Sequence, residues 1–156
     1  MIDAVNVLLV EDNEADADLT RATLGKTNVD IKLAVAKDGV EAIDFLNGMG
    51  SWSEPGQPTL ILLDLNLPRK DGRQVLAILK SQDQFRRIPV VVLSSSDSER
   101  DIASCYQLGA NCYIVKPVDL VEYRALVKAL EDFWLGAAKL PRREGHLPET
   151  SIGYGD

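Results

Sequence analysis

Four short runs of polar residues stand out in this 156-residue chain, each directly behind a stretch of apolar ones. Glu11-Asp12-Asn13 follows Val5–Val10, Asp64-Leu65-Asn66 follows Leu60–Leu63, Ser94-Ser95-Ser96 follows Val90–Leu93, and Lys116-Pro117 follows Cys112–Val115. If the apolar runs are strands of one parallel sheet, three carboxylates, a hydroxyl and an ammonium meet at one edge, although they are spread over a hundred residues of sequence. Carboxylates crowded in this way raise one another's pKa unless a cation sits among them. A small set of hard oxygen ligands favours Mg²⁺, which keeps several waters and shares its site readily with phosphate oxygens. Lys116 supplies a point charge suited to a phosphoryl group, and the Ser94 hydroxyl can donate to one of its oxygens. Asp64 ends the most apolar run and is best placed as a nucleophile, which would become an acyl phosphate.

The elements that must position these groups are legible as an alternation of short β-rich runs with segments of helical period. The remaining run, Ile31–Val35, alternates and carries Lys32, which places it near a sheet edge, whereas the third and fourth are apolar throughout and read as central strands. Helices are expected over Glu14–Lys26, over Gly39–Asn47, and after Gly72 with Val75, Ile78 and Leu79. A fourth is expected from a capping box of Ser96 and Glu99 through Ile102, Cys105 and Leu108. The fifth runs from Asp119 and Glu122 through Leu126, Leu130 and Phe133 to about Leu135. Gly25 stops the first helix, and Gly48-Met49-Gly50 with Ser51–Pro58 forms a long exposed connection. The pattern is α/β, a doubly wound (βα)5 sandwich in three layers, and ligands of such sheets lie outside the carboxyl ends of the strands. Residues 1–135 make one domain, and 136–156, rich in Gly and Pro, read as a C-terminal extension.

Composition narrows the function classes. With 17 Lys and Arg against 24 Asp and Glu, the chain carries a net charge of −7 and shows no basic patch, so nucleic acid and anionic membrane surfaces are poor partners. No signal-like start or membrane-length apolar run is present, and the cytoplasm is the expected location. Cys105 and Cys112 have no metal-ligand pattern around them and read as small buried hydrophobes. His146, the single histidine, lies in the tail, which leaves no basis for a His-based zinc site or a Ser-His-Asp triad in the main body.

Taken together, Val7–Asn13, Leu62–Pro68 with Gly72, Val90–Ser95 and Tyr113–Pro117 resemble, in order and spacing, the CheY-like receiver domains of two-component response regulators, over about residues 5 to 135. The resemblance implies a flavodoxin-like sheet of order 2-1-3-4-5. It implies that Asp64 is the phosphoacceptor, that Asp12 binds Mg²⁺ directly and Glu11 through water, and that Asp64 and the backbone carbonyl of Asn66 complete the ligands. Ser94 would be the switch hydroxyl, Lys116 the partner of the phosphoryl group, and Tyr113 an aromatic that swings inward with Ser94. Ser95 would let the chain approach the phosphate, and Lys116–Pro117 would be a cis bond, so that Pro117 is a cis-proline. Asn66 and Ser96 stand where the family tunes loss of the phosphoryl group; neither is a carboxylate, which implies slow to moderate self-dephosphorylation.

Ala110–Asp119, Glu131–Leu135 and Leu140-Pro141 are similar to the stand-alone receivers paired with phytochrome-type histidine kinases, which implies a bacteriophytochrome partner. Aromatics around the last two helices, Tyr106, Tyr123, Phe133 and Trp134, are explained mostly by helix–sheet packing. The expectation beyond that is a homodimer through the last two helices, the fifth strand and the tail, with the tail as a dimer arm. Two other readings compete. A Mg²⁺-dependent phosphohydrolase with an aspartyl nucleophile would want an acid where Asn66 stands. An interaction module that is never phosphorylated would not need the intact acidic site. The expected role is therefore that of a switch rather than an enzyme acting on a separate substrate, a phosphoacceptor that catalyses its own phosphorylation and dephosphorylation.

Overall fold

A computed structural model describes residues 5–24, 30–48 and 57–141. Five parallel strands, β1 (Val5–Val10), β2 (Ile31–Ala36), β3 (Leu60–Asp64), β4 (Val90–Ser94) and β5 (Cys112–Val115), form one sheet in the order β2-β1-β3-β4-β5. The helices are α1 (Glu14–Thr23), α2 (Gly39–Leu46), α3 (Gly72–Ser81), α4 (Glu99–Gln107) and α5 (Leu120–Leu130), and a π-helical segment, Glu131–Ala137, continues α5. Chain reversal in strand order falls between β1 and β3, where a doubly wound sheet opens its crevice.

Strand alternation assigns the two faces. Leu8, Val10, Ile61, Leu63, Val90 and Val92 pack with α2, α3 and α4. Val7, Leu9, Leu60, Leu62, Val91 and Leu93 pack on the other side with α1, α5 and the π-helical segment. β3 and β4 are buried along their whole length, as strands covered on both faces must be, whereas β2 is half-buried and lies at an edge.

Side-chain caps fix where most helices begin. Asn13, Asp38, Ser98 and Asp119 each accept a backbone amide from the first turn of α1, α2, α4 and α5. Asp71 does so for α3, and Gln74 reaches back to its amide to complete a capping box. The expected box of Ser96 and Glu99 is corrected: Ser98 caps α4, and the Ser96 hydroxyl donates instead to Asp101 Oδ2 at 2.6 Å. Serines alternate with polar residues here, and a carboxylate within reach competes for the first of them.

Two further details concern the helices on the α1/α5 side, where the fifth departs from its expected extent. In α1 the buried positions are Ala17 and Thr20, with Ala15 and Ala22 exposed. Thr20 is tolerated inside because its hydroxyl donates to the Asp16 carbonyl at 2.8 Å and lies 3.2 Å from the Tyr123 hydroxyl. The fifth helix keeps α geometry only to Leu130, and its π-helical continuation carries an i to i−5 bond from Ala138 N to Phe133 O of 2.7 Å. Trp134, Leu135 and Leu140 pack on the α1/α5 side of the sheet, while Phe133 is 55% exposed and meets Trp134 edge-on at 5.3 Å. The Gly25 stop, most of the connection before β3, and the tail from Arg142, His146 included, lie outside the described residues.

Candidate functional site

The same alternation that buries Val7, Leu9, Leu60 and Leu62 on the α1/α5 side carries Glu11 and Asp64 to that side, each one step beyond. Cys112 and Ile114 likewise lead to Lys116. The ladder continues far enough to hold them: Glu11 N donates to Ala36 O at 2.9 Å and Lys116 N to Ser94 O at 2.8 Å. Asp64 is itself the last residue of β3, so its backbone is fixed by β4. Gly72 allows the start of α3 to press against it, since a Cβ there would stand 2.3 Å from the Asp64 carbonyl oxygen.

Glu11, Asp12 and Asp64 each offer a carboxylate oxygen, all within 4.8 Å of one another. Glu11 and Asp64 are buried, at 2% and 7% exposure, and Asp12 faces solvent. Burial, reinforced by the neighbouring Asp64 and opposed by Lys116, lifts the Glu11 carboxyl to about 7. Lys116 is the cation that reaches into this cluster, donating to Glu11 Oε1 at 2.5 Å, Asp64 Oδ2 at 3.2 Å and Asp16 Oδ2 at 3.2 Å. Burial alone would depress its ammonium, but Glu11 and Asp64 outweigh burial and hold it above the ordinary lysine range. One ammonium cannot balance the carboxylates around it. An all-oxygen, mostly anionic donor set open on the Asp12 side fits a hard divalent cation such as Mg²⁺.

The remaining residues expected at the site are close by. The Asn66 amide donates to Asp64 Oδ1 at 3.2 Å. Ser94 ends β4, fully buried on the side of α2 to α4, and its Oγ accepts the Ser96 amide at 3.1 Å. Ser95 is exposed between them. Tyr113, half-buried against the α2–α4 side, donates from its hydroxyl to the Ser96 carbonyl oxygen at 2.7 Å. The expected cis bond at Pro117 is corrected: Lys116–Pro117 is trans, like every described peptide bond. Trans is the lower-energy form before proline by about 0.5–1 kcal/mol, and Lys116 reaches Glu11, Asp16 and Asp64 with it.

Asp16 is the residue that sequence reasoning missed. It stands three residues after the Asn13 cap of α1, where a glutamate would reach back to the cap amide; the shorter aspartate turns instead to Lys116. An acid at that position of the helix following Glu11-Asp12 was the available signal. Arg69 is a second such residue. It adopts a left-handed backbone (φ 64°), and its guanidinium grips both oxygens of Asp38 at 2.9 Å, joining the β3–α3 connection to the cap of α2.

A doubly wound sheet with acids after its first and third strands, a hydroxyl after the fourth and a lysine after the fifth defines a phosphoryl-accepting signalling domain. Comparison with known proteins agrees. Residues 7–128 match the model of the response regulator receiver domain, and the chain belongs to that family. It is 44% identical to the response regulator Rcp1 of Synechocystis over 135 residues, which cover 86% of this chain and 92% of that protein. Among solved structures, the phosphorylated cyanobacterial phytochrome response regulator RcpA superposes with a TM-score of 0.86 at 46% identity, covering 90% of this chain and all of that one. The Mn²⁺-bound form of Rcp1 gives 0.84 at 43%, covering 88% and 99%. The architecture, the strand order 2-1-3-4-5 and the response regulator class expected from the sequence all hold.

Proposed function

We propose that this response regulator takes a phosphoryl group from a phosphohistidine of a sensor histidine kinase onto Asp64. The observation that carries this is the meeting of buried Asp64 with Glu11, Asp12 and Lys116 at one strand edge. An Asp64 carboxylate oxygen forms the new O–P bond as the P–N bond to the donor imidazole breaks in line, and the freed imidazole takes up a proton. Glu11, Asp12, Asp64 and the Asn66 carbonyl would hold Mg²⁺, which when bound neutralises charge on the phosphoryl oxygens. Support for a divalent ion comes from the Mn²⁺-bound form of the relative Rcp1. Lys116 pairs with a phosphoryl oxygen, the Ser94 hydroxyl donates to another, and Ser95 leaves room for their approach. Tyr113, tied to Ser96, whose amide donates to Ser94 Oγ, follows the rearrangement.

The donor kinase is a phytochrome photoreceptor on this reading, supported by the 46% identity to RcpA, described as a phytochrome response regulator. The protein acts in the cytoplasm; no helix among the described residues is long and apolar enough to cross a membrane. It hydrolyses its own acyl phosphate at a slow to moderate rate. Asn66 offers no carboxylate to orient water, and the Ser96 hydroxyl is engaged by Asp101. Residues 1–135 form the receiver and 136–156 an extension. A homodimer forms through α4, β5, α5 and the extension, favoured by the exposure of Tyr106 (49%), Leu120 (67%) and Val121 (75%).

Intact mass after incubation with Mg²⁺ and acetyl phosphate tests the central claim. A gain of one phosphoryl group that disappears in Asp64→Asn and with a chelator supports it. No gain in the folded wild-type chain, from acetyl phosphate or from a phosphorylated kinase, overturns it. Sedimentation of the full chain tests the dimer separately, and a monomer at all concentrations rejects it.

A further inference from the structure

Of the three carboxylates that Lys116 reaches, Asp16 alone stands outside the cluster of oxygens able to share a cation. We propose that Asp16 is a positioning residue for Lys116, holding the ammonium at the site when a cation engages Glu11 and Asp64. The proposal rests on the reading that Asp64 accepts a phosphoryl group.

A cation drawing on the oxygens of Glu11 and Asp64 weakens their pull on Lys116. The ammonium of a lysine side chain that is 10% exposed does not stay at such a place without a partner, and its four-carbon stem is free to swing to water. Asp16 Oδ2, at 3.2 Å, remains. Its carboxylate is 30% exposed, at the boundary between protein and solvent, so the pair keeps an attraction intermediate between surface and interior.

Asp16 is itself held from both sides along α1. Its amide is capped by Asn13 Oδ1 at 3.0 Å, and its carbonyl accepts the Thr20 hydroxyl at 2.8 Å. Thr20 has used its one proton there, so the Tyr123 hydroxyl from α5 donates to Thr20 Oγ1 at 3.2 Å. α5 thus braces α1 at the turn that carries Asp16, while Lys116 arrives from the strand end just before α5. All these supports use the backbone of Asp16, and Asp16→Asn leaves them intact while removing the charge.

The experiment is the time course of phosphoryl uptake from acetyl phosphate with Mg²⁺ in wild type, Asp16→Asn, Lys116→Met and the double variant, with Mg²⁺ affinity measured on each. Asp16→Asn is expected to slow uptake about fivefold, the upper end for a partly exposed ion pair, and to add nothing in the Lys116→Met background. Mg²⁺ affinity should change by less than about threefold, since loss of a ligand contact or its support costs roughly tenfold or more. NMR of the Lys116 ammonium should show faster proton exchange with water in Asp16→Asn, in the Mg²⁺-loaded protein. An unchanged rate, the same slowing with Lys116 absent, or a tenfold loss of Mg²⁺ affinity overturns the proposal. A wild-type chain that takes up no phosphoryl group overturns instead the reading beneath it.

Discussion

Tyr113 of β5 and Ser96, just past the end of β4, are joined by one hydrogen bond, the tyrosine hydroxyl donating to the serine carbonyl oxygen at 2.7 Å. Ser96 is occupied at every polar atom: its amide donates to Ser94 Oγ and its hydroxyl to Asp101. Asp101 in turn pairs with Arg73 of α3. Removing the tyrosine hydroxyl leaves a partly buried carbonyl without that donor. Tyr113→Phe is expected to lower the unfolding free energy by about 0.5–1.5 kcal/mol, read from urea denaturation, while phosphoryl uptake at Asp64 persists.

Stability in the absence of metal should report the strained carboxylate pair. Glu11 is lifted from the ordinary 4.5 to about 7 in the folded chain, so between those pH values the folded state binds more protons than the unfolded one. Stability therefore falls as pH rises through that window. Urea titrations at pH 5 and pH 8 in chelator should show a larger loss for wild type than for Glu11→Gln, in which the group no longer titrates. Equal losses would contradict the burial-driven shift.

Asp38 titrates with the opposite sign. Burial opposes its ionisation, but the Glu41 amide and Arg69 win and hold its carboxyl below the ordinary 3.8. Its contribution is present above that value and is lost as pH falls through the lower, folded-state one. Asp38→Asn keeps a side-chain oxygen for the cap but loses the paired guanidinium. It is expected to cost about 0.5–1 kcal/mol near neutral pH, with the difference from wild type shrinking in acid.

Gly72→Ala probes the fit of α3 against the acceptor strand. Its Cβ would meet the Asp64 carbonyl oxygen at 2.3 Å and Leu65 Cα at 2.7 Å, backbone atoms with little room to yield. A cost of about 1–3 kcal/mol in thermal or urea unfolding is expected. Phosphoryl uptake should slow as well, because the displaced atoms belong to the acceptor residue itself.

The strands were legible because runs such as Leu60–Leu63 and Val90–Leu93 are apolar on both faces, and each ends on a polar residue that the structure keeps within or next to the strand. The acidic site followed from those ends. What sequence reasoning did not reach depends on contacts between distant segments. Thr20 is buried because Tyr123, from a helix a hundred residues later, meets its hydroxyl. Ser98 rather than Ser96 caps α4 because Asp101 accepts from one serine hydroxyl and donates its amide to the other, a competition invisible in a run of serines. The passage from α to π geometry at Glu131 leaves the apolar spacing almost unchanged, so periodicity alone could not show it.

Strand alternation has a further consequence. Asp64, Glu11 and Lys116 continue the side of the sheet that packs on α1 and α5, whereas Ser94 and Tyr113 continue the side that packs on α2, α3 and α4. Acceptance and readout are thereby lodged in different layers that meet at the strand ends, where Asp64 lies beside Leu93 and Lys116 N donates to Ser94 O. Surface residues of α3 and α4 can drift to suit a new listener without disturbing the acids, and those of α1 can drift to suit a new donor without disturbing the listener.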